Sequence, residues 1–288
     1  MIKLGIIGFP LEHSLSPIMH TAALQQLNIN GEYLKYEVKE EKLQELLNAF
    51  KKNGLKGFNV TIPYKNKIIP YLDEVTETAK LAEAVNTVTI KENGKAIGDN
   101  TDIEGFWESL PETIRNKIFS SQATVLGCGG TAKAISIALL KNNVSSLSVF
   151  SRNKEKLITF ANYLNSKKDK LKAKTKLDFG LTSEINLSNT SLFINTTPVG
   201  MYPAVDSSPL KKEELQELPK DAFVYDVIYN PTKTKFLEIA ESLNKKTLNG
   251  IEMLVRQGAN SLKIWLDGVN PPIEIMRMAV VQGLSSSR

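Results

Sequence analysis

Lys65 and Asp102 each sit among small polar residues at the end of an apolar run. Asn59-Val60-Thr61-Ile62-Pro63-Tyr64-Lys65 reads as a strand stopped by Pro63. The strand period of two puts Asn59 and Thr61 on one face. Lys65 falls just past the strand's C-terminal end, where open α/β sheets bind ligands. Asn86 opens the run Asn86-Thr87-Val88, and Asp102 closes Gly98-Asp99-Asn100-Thr101-Asp102. Ser14 and Ser16 lie in a loop, His13-Ser14-Leu15-Ser16-Pro17, after the first apolar run. Taken singly, each is ordinary capping or loop chemistry. Together they would make a polar pocket with one ammonium and one carboxylate.

A second constellation begins past residue 120. Thr124-Val125-Leu126 is a short apolar run that ends in Gly127-Cys128-Gly129-Gly130-Thr131-Ala132, and a helix-like segment follows. Gly127-x-Gly129-x-x-Ala132 between a strand and a helix is the turn that seats a pyrophosphate on backbone N–H groups. Without a ligand the same pattern is a tight strand–helix turn. At the end of the next strand, where an NAD site carries an acid, the chain reads Ser151-Arg152-Asn153-Lys154-Glu155-Lys156. A carboxylate there would repel a 2′-phosphate, whereas a guanidinium binds it through charge-assisted bonds. The expected cofactor is therefore NADP. Cys128, inside the turn, is a small filler with no catalytic partner in the sequence.

These residues need a frame. The chain has 288 residues, 42% of them hydrophobic, and suits two soluble domains. The formal charge is +5, but the lysines are interleaved with acids along helices, which disfavours nucleic acid as a partner. A single cysteine excludes an internal disulfide, and no apolar run spans a membrane, so a cytoplasmic protein is expected. With only two histidines, His13 and His20, no metal site is expected.

Strands are predicted at 2–8, 32–38, 57–62, 87–91 and 96–98, the last two as a hairpin-like pair around Asn93-Gly94, with helices over 17–27, 42–53 and 76–84. Ser16 is read as the N-cap of the first helix. This order implies a mostly parallel sheet with helices on its faces. A connecting helix over 102–110 leads to polar, irregular residues 111–122. A second α/β unit has strands at 123–127, 146–151, 173–178, 192–195 and 222–226, and helices over 130–142 and 153–166. Helices over 251–266 and 273–283 are expected to cap the first sheet. The domains are thus 1–102 completed by 248–288, and 103–247.

The chain resembles the shikimate dehydrogenase family. The resemblance rests on Gly8-x-Pro10-x-x-His13-Ser14-x-Ser16-Pro17-x-x-His20, Asn59-Val60-Thr61-x-Pro63-x-Lys65, Ala84-Val85-Asn86-Thr87 and Gly98-x-Asn100-Thr101-Asp102. It continues through Asn195-Thr196-Thr197-Pro198-x-Gly200-Met201, Tyr225-Asp226-x-x-Tyr229-x-Pro231 and Gly250-x-x-Met253-Leu254-Val255-x-Gln257-Gly258-Ala259. It implies an α/β fold of two domains, a substrate domain and a Rossmann-type NADP domain, with the active site in the cleft between them. It implies NADPH-dependent reduction of 3-dehydroshikimate to shikimate, on the route to aromatic amino acids, with Lys65 and Asp102 as the acid–base pair.

By motif, substrate would be bound by Ser14, Ser16, Thr61, Lys65, Asn86, Asp102, Tyr229 and Gln257. The serine hydroxyls suit its carboxylate, and Thr61, Asn86 and Gln257 its ring hydroxyls. NADP would meet Gly127, Cys128, Gly129, Gly130, Thr131, Ser151, Arg152, Asn153, Lys154, Glu155, Lys156, Val227 and Gly250, with Glu77 a further candidate. Monomer and homodimer both fit this reading.

Two departures from the family pattern stand out. Cys128 replaces the usual alanine of the glycine turn, and Ser151-Arg152-Asn153 replaces Asn-Arg-Thr. The arginine survives, so the expected contact to the 2′-phosphate stands. Two alternatives remain: a relative that also oxidises quinate with NAD or NADP, and a non-catalytic NADP-binding regulator. A regulator has no need of an acid–base pair.

Overall fold

The computed structural model describes residues 1–286. The chain divides into two compact units, one formed by Met1–Gly105 with the chain from Val255 onward, the other by Phe106–Leu254.

The first unit opens with β1 (Ile2–Gly8), α1 (Ser16–Gln26), β2 (Gly31–Glu37), α2 (Leu43–Lys52) and β3 (Gly57–Val60). β4 (Glu74–Val75), α3 (Glu77–Ala82), β5 (Thr87–Ile90) and β6 (Ala96–Asp99) follow. Its six strands run in the order β2-β1-β3-β5-β6-β4. β1 is parallel to β2 and β3, and β5 is antiparallel to both β3 and β6. The sheet is mixed, with three parallel pairings and two antiparallel ones. The two reversals around β5 matter for the site. They bring the C-terminal ends of β1, β3 and β6 and the start of β5 to one edge. A core of Ile7, Leu43, Leu47, Phe50, Phe58 and Val88 holds α2 against the sheet.

α1 begins at Ser16 itself, with Leu15 at the N-cap in a helical conformation and no side-chain cap. The expected Ser16 cap is thus corrected: Pro17 at the start of the helix lacks an N–H in any case, and the Ser16 amide is taken by Ser14 Oγ at 3.4 Å.

α4 (Asp102–Ser109) and α5 (Glu112–Ile118) lead into β7 (Gln122–Leu126), α6 (Gly130–Lys141), β8 (Ser146–Ser151), α7 (Lys154–Leu171) and β9 (Lys176–Leu181). β10 (Thr190–Asn195), α8 (Lys212–Gln216), β11 (Phe223–Asp226), α9 (Lys235–Ser242) and β12 (Lys246–Leu248) complete the second unit. Its strand order β12-β11-β10-β7-β8-β9 is all parallel. Counted from β7, this is the 3-2-1-4-5-6 order of a dinucleotide-binding sheet read from one edge.

α10 (Ile251–Trp265) and α11 (Ile273–Ser286) follow. From Val255 on they belong to the first unit. α11 lies against α1, and the Trp265 indole donates to Val88 O at 3.0 Å across the face of the first sheet.

Candidate active site

In the first unit, the edge gathered by the strand reversals carries the predicted pair. Lys65 Nζ donates to Asp102 Oδ2 at 2.6 Å. The lysine side chain is 29% exposed and the aspartate 11%, so the pair is shielded yet reachable. Asp102 opens α4, its amide held by Asn100 Oδ1 at 3.1 Å. Its other carboxylate oxygen accepts from Asn86 Nδ2 at 2.9 Å. The orientation of the Asn86 amide is not free, because Asn86 Oδ1 accepts the Thr101 amide at 2.8 Å. Nδ2 must then face Asp102.

Gln257 joins them from α10, its Oε1 lying 3.3 Å from Asn86 Nδ2. It gets there because position 105 has no side chain. A Cβ on Gly105 would stand 2.7 Å from Gln257 N and 2.8 Å from its Cα. Lys65, Asn86, Asp102 and Gln257, distant in sequence, are therefore brought together. Asn86 is buried, and its amide is already engaged on both sides, so a substrate hydroxyl would share its N–H with Asp102 or Thr101.

Ser14 lies in the loop after β1, Ser16 opens α1 and Thr61 follows β3, with β1 and β3 adjacent strands. Ser14 and Thr61 are partly exposed. Ser16 is buried. Glu77 sits in the first turn of α3, ion-paired with Lys80 at 2.9 Å and facing solvent. His20 is stacked on Tyr33 with ring centroids 4.3 Å apart, and burial pushes it down to about 3, so it is neutral.

In the second unit, the ends of β7 and β10 frame a pocket of about 340 Å³ at the point where the strand order reverses. Gly127 has φ +116°, and a Cβ there would meet Thr196 Oγ1 at 2.5 Å, so the turn is built on glycine. Thr196 in turn donates from N and Oγ1 to Leu126 O, at 3.0 and 2.7 Å. The site fits a dinucleotide on two counts. Open space lies over Gly129, where a Cβ would meet nothing within 4 Å. Gly129 is also the N-cap of α6, so the unpaired N–H groups of that helix face the opening.

Gly127, Cys128, Gly129, Ser151, Arg152, Asn153 and Lys156 line the pocket. Arg152 and Lys156 are exposed there, and Asn153 Oδ1 caps α7 by accepting the Lys156 amide at 2.8 Å. Burial pushes the Cys128 thiol up, so it stays protonated. Gly130 and Thr131 form the first turn of α6, and Lys154 and Glu155 that of α7, none of them on the pocket wall. Val227 and Gly250 pack on each other elsewhere in the unit, a Gly250 Cβ having only 2.0 Å to Val227 O. Tyr229 is half-buried in the loop after β11, and its burial raises the phenol above its ordinary range.

The walls also include Thr182, Thr196, Thr197, Pro198, Val199, Ser208 and Pro209, which the sequence reading did not assign. The motif Asn195 to Met201 was the available signal for four of them. Thr182, whose buried hydroxyl has no partner, follows β9, a strand the sequence reading misplaced.

A parallel sheet of this order, with a glycine turn at its switch point, defines the second unit as a Rossmann-type nucleotide-binding unit. The first unit adds an ammonium–carboxylate pair. Residues 6–88 match the shikimate dehydrogenase substrate binding domain, and residues 250–281 the shikimate 5'-dehydrogenase C-terminal domain. The chain is 44% identical over 278 residues to shikimate dehydrogenase (NADP(+)) of Methanococcus aeolicus, with 96% of each chain covered. A crystal structure of a shikimate dehydrogenase in complex with NADP+ is similar at TM-score 0.89 and 38% identity, covering 99% of this chain and 96% of that one. Shikimate 5-dehydrogenase from Thermus thermophilus, solved with NADP(H) and shikimate, gives 0.85 at 30% identity, covering 99% and 100%. The chain belongs to the shikimate dehydrogenase family.

Proposed function

We propose that this chain is an NADP-dependent oxidoreductase acting on a CH–OH group, and that it reduces 3-dehydroshikimate reversibly to shikimate on the route to aromatic amino acids. The observation that carries the proposal is the Lys65–Asp102 contact of 2.6 Å at the strand-end edge, in a chain of this family.

Bound NADPH supplies hydride to the ring carbonyl. The protein's share is position and proton transfer. Lys65 Nζ hydrogen-bonds the carbonyl oxygen, stabilises the negative charge that develops there and delivers the proton. Asp102 Oδ2 aims the ammonium and shares the neighbouring hydroxyl of the substrate. Ser14 and Ser16 suit the carboxylate, and Thr61, Asn86, Gln257 and Tyr229 the ring hydroxyls. The N–H groups at Gly129 and the start of α6 suit the pyrophosphate, and Arg152 and Lys156 the 2′-phosphate. A cytoplasmic location and a monomeric or homodimeric state belong to the same proposal. Among the described residues no helix is long and apolar enough to cross a membrane.

The test is a comparison of initial rates with shikimate and with quinate, each with NADP and with NAD. The proposal expects shikimate with NADP to give the highest kcat/KM. A preference for quinate or for NAD would overturn it, and no turnover with any pair would favour a regulator.

A further inference from the structure

Behind the Lys65–Asp102 pair lies a set of buried polar side chains that the proposed chemistry does not use. Thr87, Thr101 and Ser261 are all buried, on β5, before α4 and on α10 respectively. Their hydroxyls lie close together, with Ser261 Oγ 2.7 Å from Thr87 Oγ1 and 3.1 Å from Thr101 Oγ1.

The donors can be assigned one by one. Asn86 Oδ1 already accepts from Thr101 N at 2.8 Å, so Asn86 Nδ2 is the donor to Thr101 Oγ1 at 2.9 Å. The Thr87 hydroxyl donates to Asn86 Oδ1 at 2.9 Å, which fills that oxygen. Thr87 can then only accept from Ser261. Thr101, its proton displaced from Asn86 Oδ1, donates to Ser261 Oγ. Asn59 Nδ2 donates to the remaining lone pair of Ser261 at 3.0 Å, while Asn59 Oδ1 is held by the Tyr33 hydroxyl at 2.7 Å. The result is a closed circuit with one sense: Asn86 to Thr101, Thr101 to Ser261, Ser261 to Thr87, Thr87 back to Asn86.

We propose that Ser261 is a positioning residue: it closes this ring, and the ring holds the Asn86 amide with its N–H aimed at Asp102 Oδ1. Each bond in such a ring polarises the next. The proposal rests on the reading of Lys65 and Asp102 as the acid–base pair. Ser261 is hydrogen-bonded to neither of them, and its single proton, directed at Thr87 Oγ1 at 2.7 Å, is shared with the carbonyl of Gln257 at 3.0 Å one turn earlier on α10. Opening the ring leaves the Thr101 amide as the fixed bond to Asn86 Oδ1 and loosens the rest of its support, so Asp102 faces a less firmly held partner.

Ser261→Ala and Thr87→Val each remove two of the four ring bonds, with the Ser261–Thr87 bond in common, the second with no change of shape. Thr87→Ser keeps the hydroxyl and serves as the conserving variant. With shikimate and NADP, the two opening variants are expected to lose about tenfold in kcat with little change in the KM for NADP, and Thr87→Ser to restore kcat to near wild type. Wild-type kcat in folded Ser261→Ala and Thr87→Val would overturn the proposal. So would an equal loss in Thr87→Ser and Thr87→Val. Lys65→Met, run beside them, separates the two readings: if it keeps wild-type kcat, the acid–base assignment fails, whatever the ring variants show.

Discussion

Removing the guanidinium at position 152 tests the cofactor assignment most directly. Arg152 stands exposed on the pocket wall at the end of β8, with Lys156 on the same wall one turn into α7. A fully desolvated hydrogen bond to a charged group contributes about 1.5–3 kcal/mol, whereas exposed ion pairs contribute about 1 kcal/mol or less. An exposed arginine facing a phosphate falls between, at roughly 1–2 kcal/mol. At about 1.4 kcal/mol per tenfold, Arg152→Ala should weaken NADPH binding about 5- to 30-fold. NADH lacks the 2′-phosphate and should bind the variant as it binds wild type. The assay is titration of cofactor fluorescence at fixed salt, because screening weakens exposed charge contacts. Removing Lys156 as well should cost more than Arg152→Ala but less than the sum of the two losses, since both cations face one phosphate. Equal weakening of NADPH and NADH would refute the reasoning and leave Arg152 a general support of the pocket wall.

Lys65→Met should lower kcat by roughly 10²–10⁴ while the KM for shikimate barely moves, read from initial rates; a near-normal kcat removes Lys65 from the chemistry. Asp226 is buried, and burial raises its carboxyl from 3.8 to about 6, against the bonds it accepts from Thr234, Ile228 N and Asn195. The folded state therefore holds that proton more tightly than the unfolded state. Its contribution to stability is complete below pH 3.8 and is lost as pH rises through about 6, a change of about 3 kcal/mol. Urea unfolding of Asp226→Asn should lack that slope, and curves parallel to wild type at pH 4 and 7 would contradict the shift. Gly105→Ala would force a methyl to within 2.7 Å of Gln257 N, and it should raise the KM for shikimate and lower stability by about 1–3 kcal/mol without changing NADP affinity. An unchanged KM would mean that the helices part without moving Gln257.

The site was legible where a residue type and a strand end coincide. Lys65, Asp102 and the glycine turn announce themselves by apolar runs that stop in polar or glycine residues, and the structure places all three at sheet edges. What the sequence hid were ends without a signal. α7 runs on to Leu171, five residues beyond expectation, because Lys167 to Lys172 hold no breaker, and Lys172 ends the helix at φ 53° where a glycine would be read. β9 was displaced with it, and Thr182 was lost from the pocket. α5 is seven residues long with only Ile114 and Ile118 buried, too short for a helical period to show. β4 and β12 are two and three residues long and are defined by their neighbours alone. The antiparallel pairing of β5 with β6 was legible in the turn residues Asn93-Gly94, whereas its antiparallel pairing with β3 was not, because no tight turn joins those two strands.

The break in the first unit bears on its chemistry. The chain leaves that unit after Gly105 and returns at Val255, and Gly105 lies against the Gln257 backbone. A unit whose exit and re-entry touch can accept a whole domain between them with little distortion. Asp102 lies three residues before the exit, Gln257 two residues and Ser261 six residues after the return. β1 to β6 can therefore form their sheet with Lys65 and Asp102 both present while Asn59, Thr87 and Thr101 still lack the partner that comes from α10. A buried polar group left unpaired costs about 1–3 kcal/mol, so docking of α10 satisfies the polar groups of the sheet edge and completes the ring around Asn86 in one step. The indole of Trp265, bonded to Val88 O, seats the same helix from its far end. Met1–Gly105 thus carry both members of the pair but not the Ser261 oxygen that closes the ring behind them.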